Sequence, residues 1–356
     1  MRLTGLLTAA AGAALLTGGL AAGAALAETI GPGGEIGVPS TTVVVDDEGA
    51  AALAGQGHTA ALLWHDQSDF VNAVTDGARS EFARLDIEVI AVTNANFDAA
   101  TQRSDIETVM ARNPSIILSL PLDPVTSAVA FREAKEAGIA LVFLSNLPEG
   151  YVHPDDYAAI VTDDLFEMGK QAADSLAEAM GGEGTVGWIF HDADYYVTNQ
   201  RDNAFKTTIE NDHPGISIVV EQGISDPARA EEIANAMLLR HPDLGGIYAP
   251  WSGPAEGVLA ALRANSNTTT KLVTLDLSEP IALDMVQGGN VVAIVADEAY
   301  ELGRAMAASG ARALLGLETE PFVIAPALTV TADNIAEGWM QSLNREAPAS
   351  LLGAAD

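Results

Sequence analysis

The chain has 356 residues, with 49 acidic side chains against 17 lysines and arginines, a formal net charge of −32 and no cysteine. A surface this acidic repels phosphate, which excludes a nucleic-acid-binding role. The missing thiols exclude disulfides, thiolate zinc sites, cysteine nucleophiles and an N-terminal lipid-bearing cysteine.

In chain order, residues 1–27 carry one charged side chain, Arg2, then an apolar run from Leu6 to Ala25 that ends in Ala25-Leu26-Ala27 before Glu28. A positive start, an apolar centre and an A-x-A end mark a cleaved secretory signal. Gly18, Gly19 and Gly23 interrupt the run, and no basic stop follows it, which argues against a membrane anchor. No later stretch reaches the roughly 18 apolar residues of a membrane span. The expectation is a freely diffusing protein of the bacterial periplasm, not lipid-anchored. Residues 28–56, rich in Gly and Pro, read as a loosely ordered lead-in with a short strand at Thr42–Val45.

From Thr59 onward short apolar runs alternate with amphipathic stretches. The runs predict strands at Ala60–Trp64, Glu88–Val92, Ser115–Leu120, Ala140–Leu144 and Ala159–Val161. Further strands are predicted at Val186–Phe190, Ile216–Val220, Gly246–Ala249, Leu272–Leu275 and Val291–Val295. Helices are expected over Phe70–Leu85, Ala99–Arg112, Val125–Ala137, Leu165–Met180 and Arg229–Arg240, with caps at Ser68, Asp98 and Asp226. Continuous apolar strands are buried on both faces, as in parallel sheets, and the alternation predicts βαβ units. Ten strands are too many for one ordinary open sheet, so the fold class is α/β with two Rossmann-like, doubly wound lobes. A repeat supports two lobes: Thr59 to Asp66 aligns without gaps on Thr185 to Asp192, His-Asp closing both.

Ligands of open α/β sheets sit beyond the carboxyl ends of the strands. The residues there are Trp64-His65-Asp66, Ser145-Asn146, His191-Asp192, Pro250-Trp251-Ser252, Asp276 and Asp297. They combine scarce aromatics with hydrogen-bonding groups, the chemistry a sugar ring needs: a flat apolar face to stack and planar polar groups for hydroxyls. Phe70 and Tyr196 read equally as core, and Trp251 stands in a polar turn. Arg201 and Asn199 open a helix near a strand end. His65-Asp66 and His191-Asp192 read as ligand hydrogen bonding or turn chemistry; adjacent side chains point different ways and seldom form an acid/base dyad. His58, His153, His213 and His241 read as surface residues. Gly182-Glu-Gly184-Thr-Val-Gly187 matches G-x-G-x-x-G but follows a helix and opens a strand, the wrong context for a dinucleotide. No metal-ligand spacing and no cofactor motif stands out.

With these residues on the page, the chain resembles the periplasmic sugar-binding proteins of bacterial ABC importers, of the ribose/galactose/xylose-binding type, over about Thr59 to Leu343. The resemblance is carried by Ser68-Asp69-Phe70 with Asp76-Gly77-Ala78, Ile116–Leu120 with Pro121, and Val161-Thr162-Asp163-Asp164. It continues in Asn199-Gln200-Arg201-Asp202-Asn203-Ala204-Phe205, Leu239 to Asp243 with Ile247-Tyr248-Ala249, Val273 to Asp276 and Val295-Ala296-Asp297. It implies a type I periplasmic binding fold: lobe one over 57–162 and 298–325, lobe two over 163–297 and 326–345, a three-segment hinge and a tail over 346–356. It also implies a monomeric, non-enzymatic receptor that hands a monosaccharide or polyol to an ABC permease in the inner membrane. By position, Phe70 is like the ring-stacking aromatic, Arg201 like the arginine on ring and hydroxyl oxygens, Asp276 like the hydroxyl-accepting aspartate and Asp297 like a hinge-side polar ligand. The candidate ligand set is Trp64, His65, Asp66, Phe70, Ser145, Asn146, Asn199, Arg201, Trp251, Asp276 and Asp297, with no catalytic or metal residue. Ser145-Asn146 stands where ribose binders carry Asp-Arg, and Trp251 where they carry Asn, so the sugar stays open. Two other readings remain: the same fold holding an amino acid or furanosyl signal, and a secreted hydrolase using His-Asp chemistry.

Overall fold

The computed structural model describes residues 28–353. The segment read as an export signal lies outside the described residues, as do the last three. Among the described residues thirteen strands follow in order: β1 (Val38–Pro39), β2 (Thr59–Trp64), β3 (Glu88–Asn94), β4 (Ile116–Ser119), β5 (Ala140–Leu144), β6 (Ala159–Asp163), β7 (Gly184–His191), β8 (Ile216–Ile224), β9 (Gly246–Ala249), β10 (Lys271–Leu275), β11 (Val291–Ala296), β12 (Phe322–Ala325) and β13 (Leu328–Val330). They form two sheets, ordered β1-β12-β6-β5-β4-β2-β3 and β13-β11-β10-β9-β7-β8. Every pairing among them is parallel except β11 with β13. Central strands such as β4, β9 and β10 are buried along nearly their whole length, as their uninterrupted apolar sequence requires.

The chain passes between the sheets three times. β6 ends in the first sheet at Asp163, and the following helix Leu165–Ala179 packs on the helix Tyr196–Asp212 and on β10 and β11 of the second. After β11 the helix Ala299–Leu314 returns to pack on the helix Asp69–Arg84 and on β4, β5 and β6. After β12, Pro326-Ala327 lead back to β13. The crossings fall beside Asp163, Asp297 and Ala325, with Asp163 and Ala325 directly paired in the ladder.

Glycines set two helix contacts that position everything else. A Cβ on Gly77 would stand 1.9 Å from the Tyr300 carbonyl oxygen, and one on Gly303 1.9 Å from that of Val74. The helices Asp69–Arg84 and Ala299–Leu314 therefore touch backbone to backbone. In the second lobe a Cβ on Gly169 would stand 2.2 Å from the Arg201 carbonyl oxygen, so Gly169 sets the height of the helix that carries Arg201. The three expected caps form: Ser68, Asp98 and Asp226 accept from Val71, Thr101 and Ala228 backbone N–H groups.

Three expectations need correction, and the tail adds a helix of its own. The lead-in is ordered, and its strand lies at Val38–Pro39, paired with Val323 and Ile324, not at Thr42–Val45. Arg84 donates to the Val45 carbonyl, Arg304 to those of Val43 and Ser40, and Arg312 to that of Val44. These long-range guanidinium contacts, with Val43, Val45 and Leu53 buried, hold a segment whose local composition reads as loop. The helix expected over 125–137 breaks at Phe131 into Pro124–Ala130 and Arg132–Glu136. His58, His153 and His213 are half-buried and partnered, by Ser115, Thr319 and Asp174 respectively, and His241 is half-buried too. Finally, the tail turns back as a helix, Ala349–Leu352, that buries Leu351.

Residues 28–37 run across both lobes. Thr29 donates to Asp164 (2.6 Å) and accepts from the Phe166 N–H (2.8 Å). Tyr196, at the start of the Arg201 helix, donates to the Ile30 carbonyl. On the first lobe Glu35 accepts from Tyr157, and Gly37 lies against Ile324.

Candidate functional site

β2 and β7, the two strands of the repeat, end at one cavity between the lobes. From the first lobe come His65 just after β2, Phe70 in the first turn of the helix that follows, and Ser145 just after β5. From the second come His191 at the end of β7, Arg201 on the next helix, Trp251 after β9 and Asp276 after β10. Asp163 and Asp297 complete the wall at the crossings. Ser145 (φ 57°) and Asp276 (φ 64°) take left-handed backbone, each in the first residue past its strand. Phe97 does the same at φ 58°, a conformation bulky side chains rarely adopt, and its N–H is held by the His65 carbonyl (2.7 Å). Strain of this kind collects where the fold must aim a group.

The rings form a chain across the cleft. His65 meets Phe97 edge-on at 5.3 Å, Phe97 faces Trp251 of the other lobe at 6.3 Å, and Trp251 meets His191 at 5.1 Å. Burial, then the Arg201 charge, lowers His65 to about 3 and His191 to about 4, so both imidazoles are neutral at pH 7. His191 Nδ1 lies 2.8 Å from the Thr198 hydroxyl, while His65 Nδ1 has no partner. Tyr195, also on the cavity, likewise has an unpartnered hydroxyl.

The polar floor is a buried charge cluster. Arg201 is 5% exposed; it donates to Asp276 (3.0 Å) and to the Pro250 carbonyl (3.2 Å), and it stands 3.8 Å from Asp297. Burial works against its charge, but Asp276 and Asp297 outweigh burial and keep the guanidinium protonated. Asp297 also faces Asp163 within hydrogen-bonding reach, and Oδ1 of Asp163 has no other partner. Burial pushes Asp163 up to about 7, and burial with the neighbouring carboxylates raises Asp276 and Asp297 well above the usual range. Behind the cluster Asp202, pushed to about 7 by burial, accepts from the Tyr248 hydroxyl (2.6 Å) and the His191 N–H (2.8 Å).

Of the sequence-derived candidates, His65, Phe70, Ser145, Arg201, Trp251, Asp276 and Asp297 meet on this cavity. Four do not. Trp64 is buried in the first lobe, with its indole N–H on Thr75, because the last residue of a strand still points into the layer above the sheet. Asp66 lines a separate surface pocket beside Asp76 and Arg79. Asn199 points away and donates to the Ala193 carbonyl. Asn146 bridges the lobes instead: it donates to the Pro121 carbonyl and accepts from the Val197 N–H. The sequence reading missed Phe97, Leu120, Asp163, Val197 and Thr198 as cavity residues, and it weighed His191 without placing it in the ligand set. Among the described residues no group of acidic and histidine side chains has the arrangement of a metal site. No described helix is long and apolar enough to cross a membrane.

Residues 60–318 match the family model described as periplasmic binding protein domain. Among similar proteins, the ABC transporter periplasmic-binding protein YphF of Escherichia coli is 23% identical over 72% of this chain and 80% of its own length. A xylitol-binding protein of Mycolicibacterium smegmatis is 23% identical over 76% of each chain. Among solved structures, an Agrobacterium vitis ABC transporter solute-binding protein bound with α-D-tagatopyranose superposes with a TM-score of 0.73 at 22% identity. That alignment covers 82% of this chain and 99% of the other.

Proposed function

The chain belongs to the periplasmic binding protein family, and from that premise we propose that it is a receptor that captures a monosaccharide or polyol between its lobes and delivers it to an ABC import permease. The observation that carries this reading is the cavity itself. A ring chain suited to the C–H face of a small cyclic polyol stands opposite a buried Arg–Asp cluster suited to its hydroxyls. The relatives named for xylitol and crystallised with tagatopyranose point the same way. Closure of the lobes on ligand supplies the signal a permease reads. An exported, freely diffusing monomer suits that role.

The geometry argues against an amino-acid ligand and against hydrolysis. An amino acid would need a free cation for its carboxylate, and Arg201 is already outnumbered by carboxylates. Hydrolysis by a His-Asp dyad would need His65 beside Asp66 or His191 beside a carboxylate. Asp66 is not on the cavity, His65 Nδ1 has no partner and His191 Nδ1 sits on a hydroxyl. Calorimetry of ligand-stripped mature protein against a panel of sugars and polyols tests the proposal. One-to-one binding of a member supports it, and silence across the panel sinks it.

A further inference from the structure

The cleft holds more carboxyl groups than a neutral sugar requires. Its charged side chains are Arg201 against Asp163, Asp276 and Asp297, all in one buried cluster. Both facing imidazoles, His65 and His191, are neutral at pH 7. No lysine and no second arginine line the cavity. Behind the cluster stands one more buried carboxyl, Asp202, already engaged by Tyr248 and the His191 N–H. Arg201 answers one carboxylate, and in a buried site a second and third are strongly unfavourable without a partner. One oxygen of Asp163, 98% buried, has none.

We propose that the ligand is a polyol bearing a protonated amine, an amino sugar or amino cyclitol, whose ammonium seats between Asp163 and Asp297 while Arg201 and Asp276 hold its hydroxyls. This rests on the receptor reading above. An ammonium offers three donors to a carboxylate pair whose free oxygen has no partner. Its adjacent ring carbons face the Phe97 and Trp251 rings, which also favour a cation over their faces. In the empty cleft a proton bridges Asp163 and Asp297; the incoming ammonium supplies its charge, and that proton leaves to solvent. Asp163 titrates near 7 when the cleft is empty, so amine binding releases protons at neutral pH, whereas neutral-sugar binding does not.

The test is calorimetry at pH 7, in two buffers of different ionisation heat, on matched pairs: glucose with glucosamine, galactose with galactosamine, myo-inositol with an aminodeoxyinositol. The expected result is at least tenfold tighter binding of the amino member of a pair, with proton release. Asp297→Asn should erase most of that preference. Asp163→Asn provides the same readout should Asp297→Asn not fold. A neutral member that binds as tightly as its amino partner, or a preference that survives both substitutions, overturns the inference and leaves the receptor reading standing. Binding of neither class overturns both.

Discussion

Replacing Asp163 by Asn should stabilise the empty protein increasingly as pH rises from about 4 to 7. An ordinary aspartate titrates near 3.8, whereas Asp163 titrates near 7 because burial disfavours its charge. Folding thus raises its pKa. The unfolded chain ionises first, so the stability is fully present below about pH 4 and is lost as pH rises through 7. At about 1.4 kcal/mol per tenfold change in the proton equilibrium, the gap corresponds to about 4 kcal/mol. Asp297 shares the same proton and so part of the cost, which leaves a gain of at least about 2 kcal/mol for Asn at pH 8. That converts to roughly 4–8 °C in Tm for a lobe of this size. The amide keeps an acceptor for the Glu298 N–H and cannot ionise. The buried histidines titrate alike in both proteins, so their contribution cancels in the comparison. Thermal denaturation of ligand-stripped wild type and variant at pH 4.5 and pH 8 reads the difference. An equal effect at both pH values, or a variant less stable than wild type at pH 8, refutes the assignment of a strained carboxyl at this position.

Three more outcomes follow from named contacts. Trp251→Ala removes the ring that faces Phe97 and His191. At about 0.5–1.5 kcal/mol per aromatic contact, ligand affinity should fall roughly tenfold by calorimetry with the circular dichroism unchanged. Gly169→Ala forces a Cβ within 2.2 Å of the Arg201 carbonyl oxygen. Overpacking of this kind costs about 1–3 kcal/mol, so denaturant midpoints should drop and affinity should drop with them; a variant that loses stability yet binds normally would separate the two effects. Deleting 28–36 removes the contacts of Thr29, Ile30 and Glu35 across the lobes. With about 0.5–1.5 kcal/mol for each hydrogen bond, ligand release in stopped flow should quicken at least several-fold; an unchanged rate would mean that the strap follows closure without holding it.

The α/β alternation, and with it the two sheets, was legible because most strands are short apolar runs and several helical segments open on a cap, as at Ser68, Asp98 and Asp226. The carboxyl-end rule then located His65, Ser145, Trp251, Asp276 and Asp297, since those residues stand within two positions of a strand end. It failed where local direction departs from the rule. Trp64 still obeys the strand's alternation and faces the helix layer. Phe97 reaches the cleft only through a left-handed turn three residues past β3, a conformation that no sequence signal for a bulky residue announces. Asp163 looked like the first residue of the second lobe; it ends β6 where the chain crosses between the sheets, and that place brings it onto the cavity. The order of the lead-in, read as loose, was not legible because its anchors, Arg84, Arg304 and Arg312, are far away in sequence.

The central claim, that the cleft holds one small polyhydroxylated molecule on the Arg201 cluster, is tested most directly by native mass spectrometry of the mature protein purified from its own host. The account predicts a single adduct with the mass of one sugar-sized polyol, amino-substituted or not, that is lost on substitution of Arg201 by Met in a folded variant. An adduct with the mass of an amino acid or a nucleoside, or a polyol adduct that survives the loss of Arg201, would contradict it.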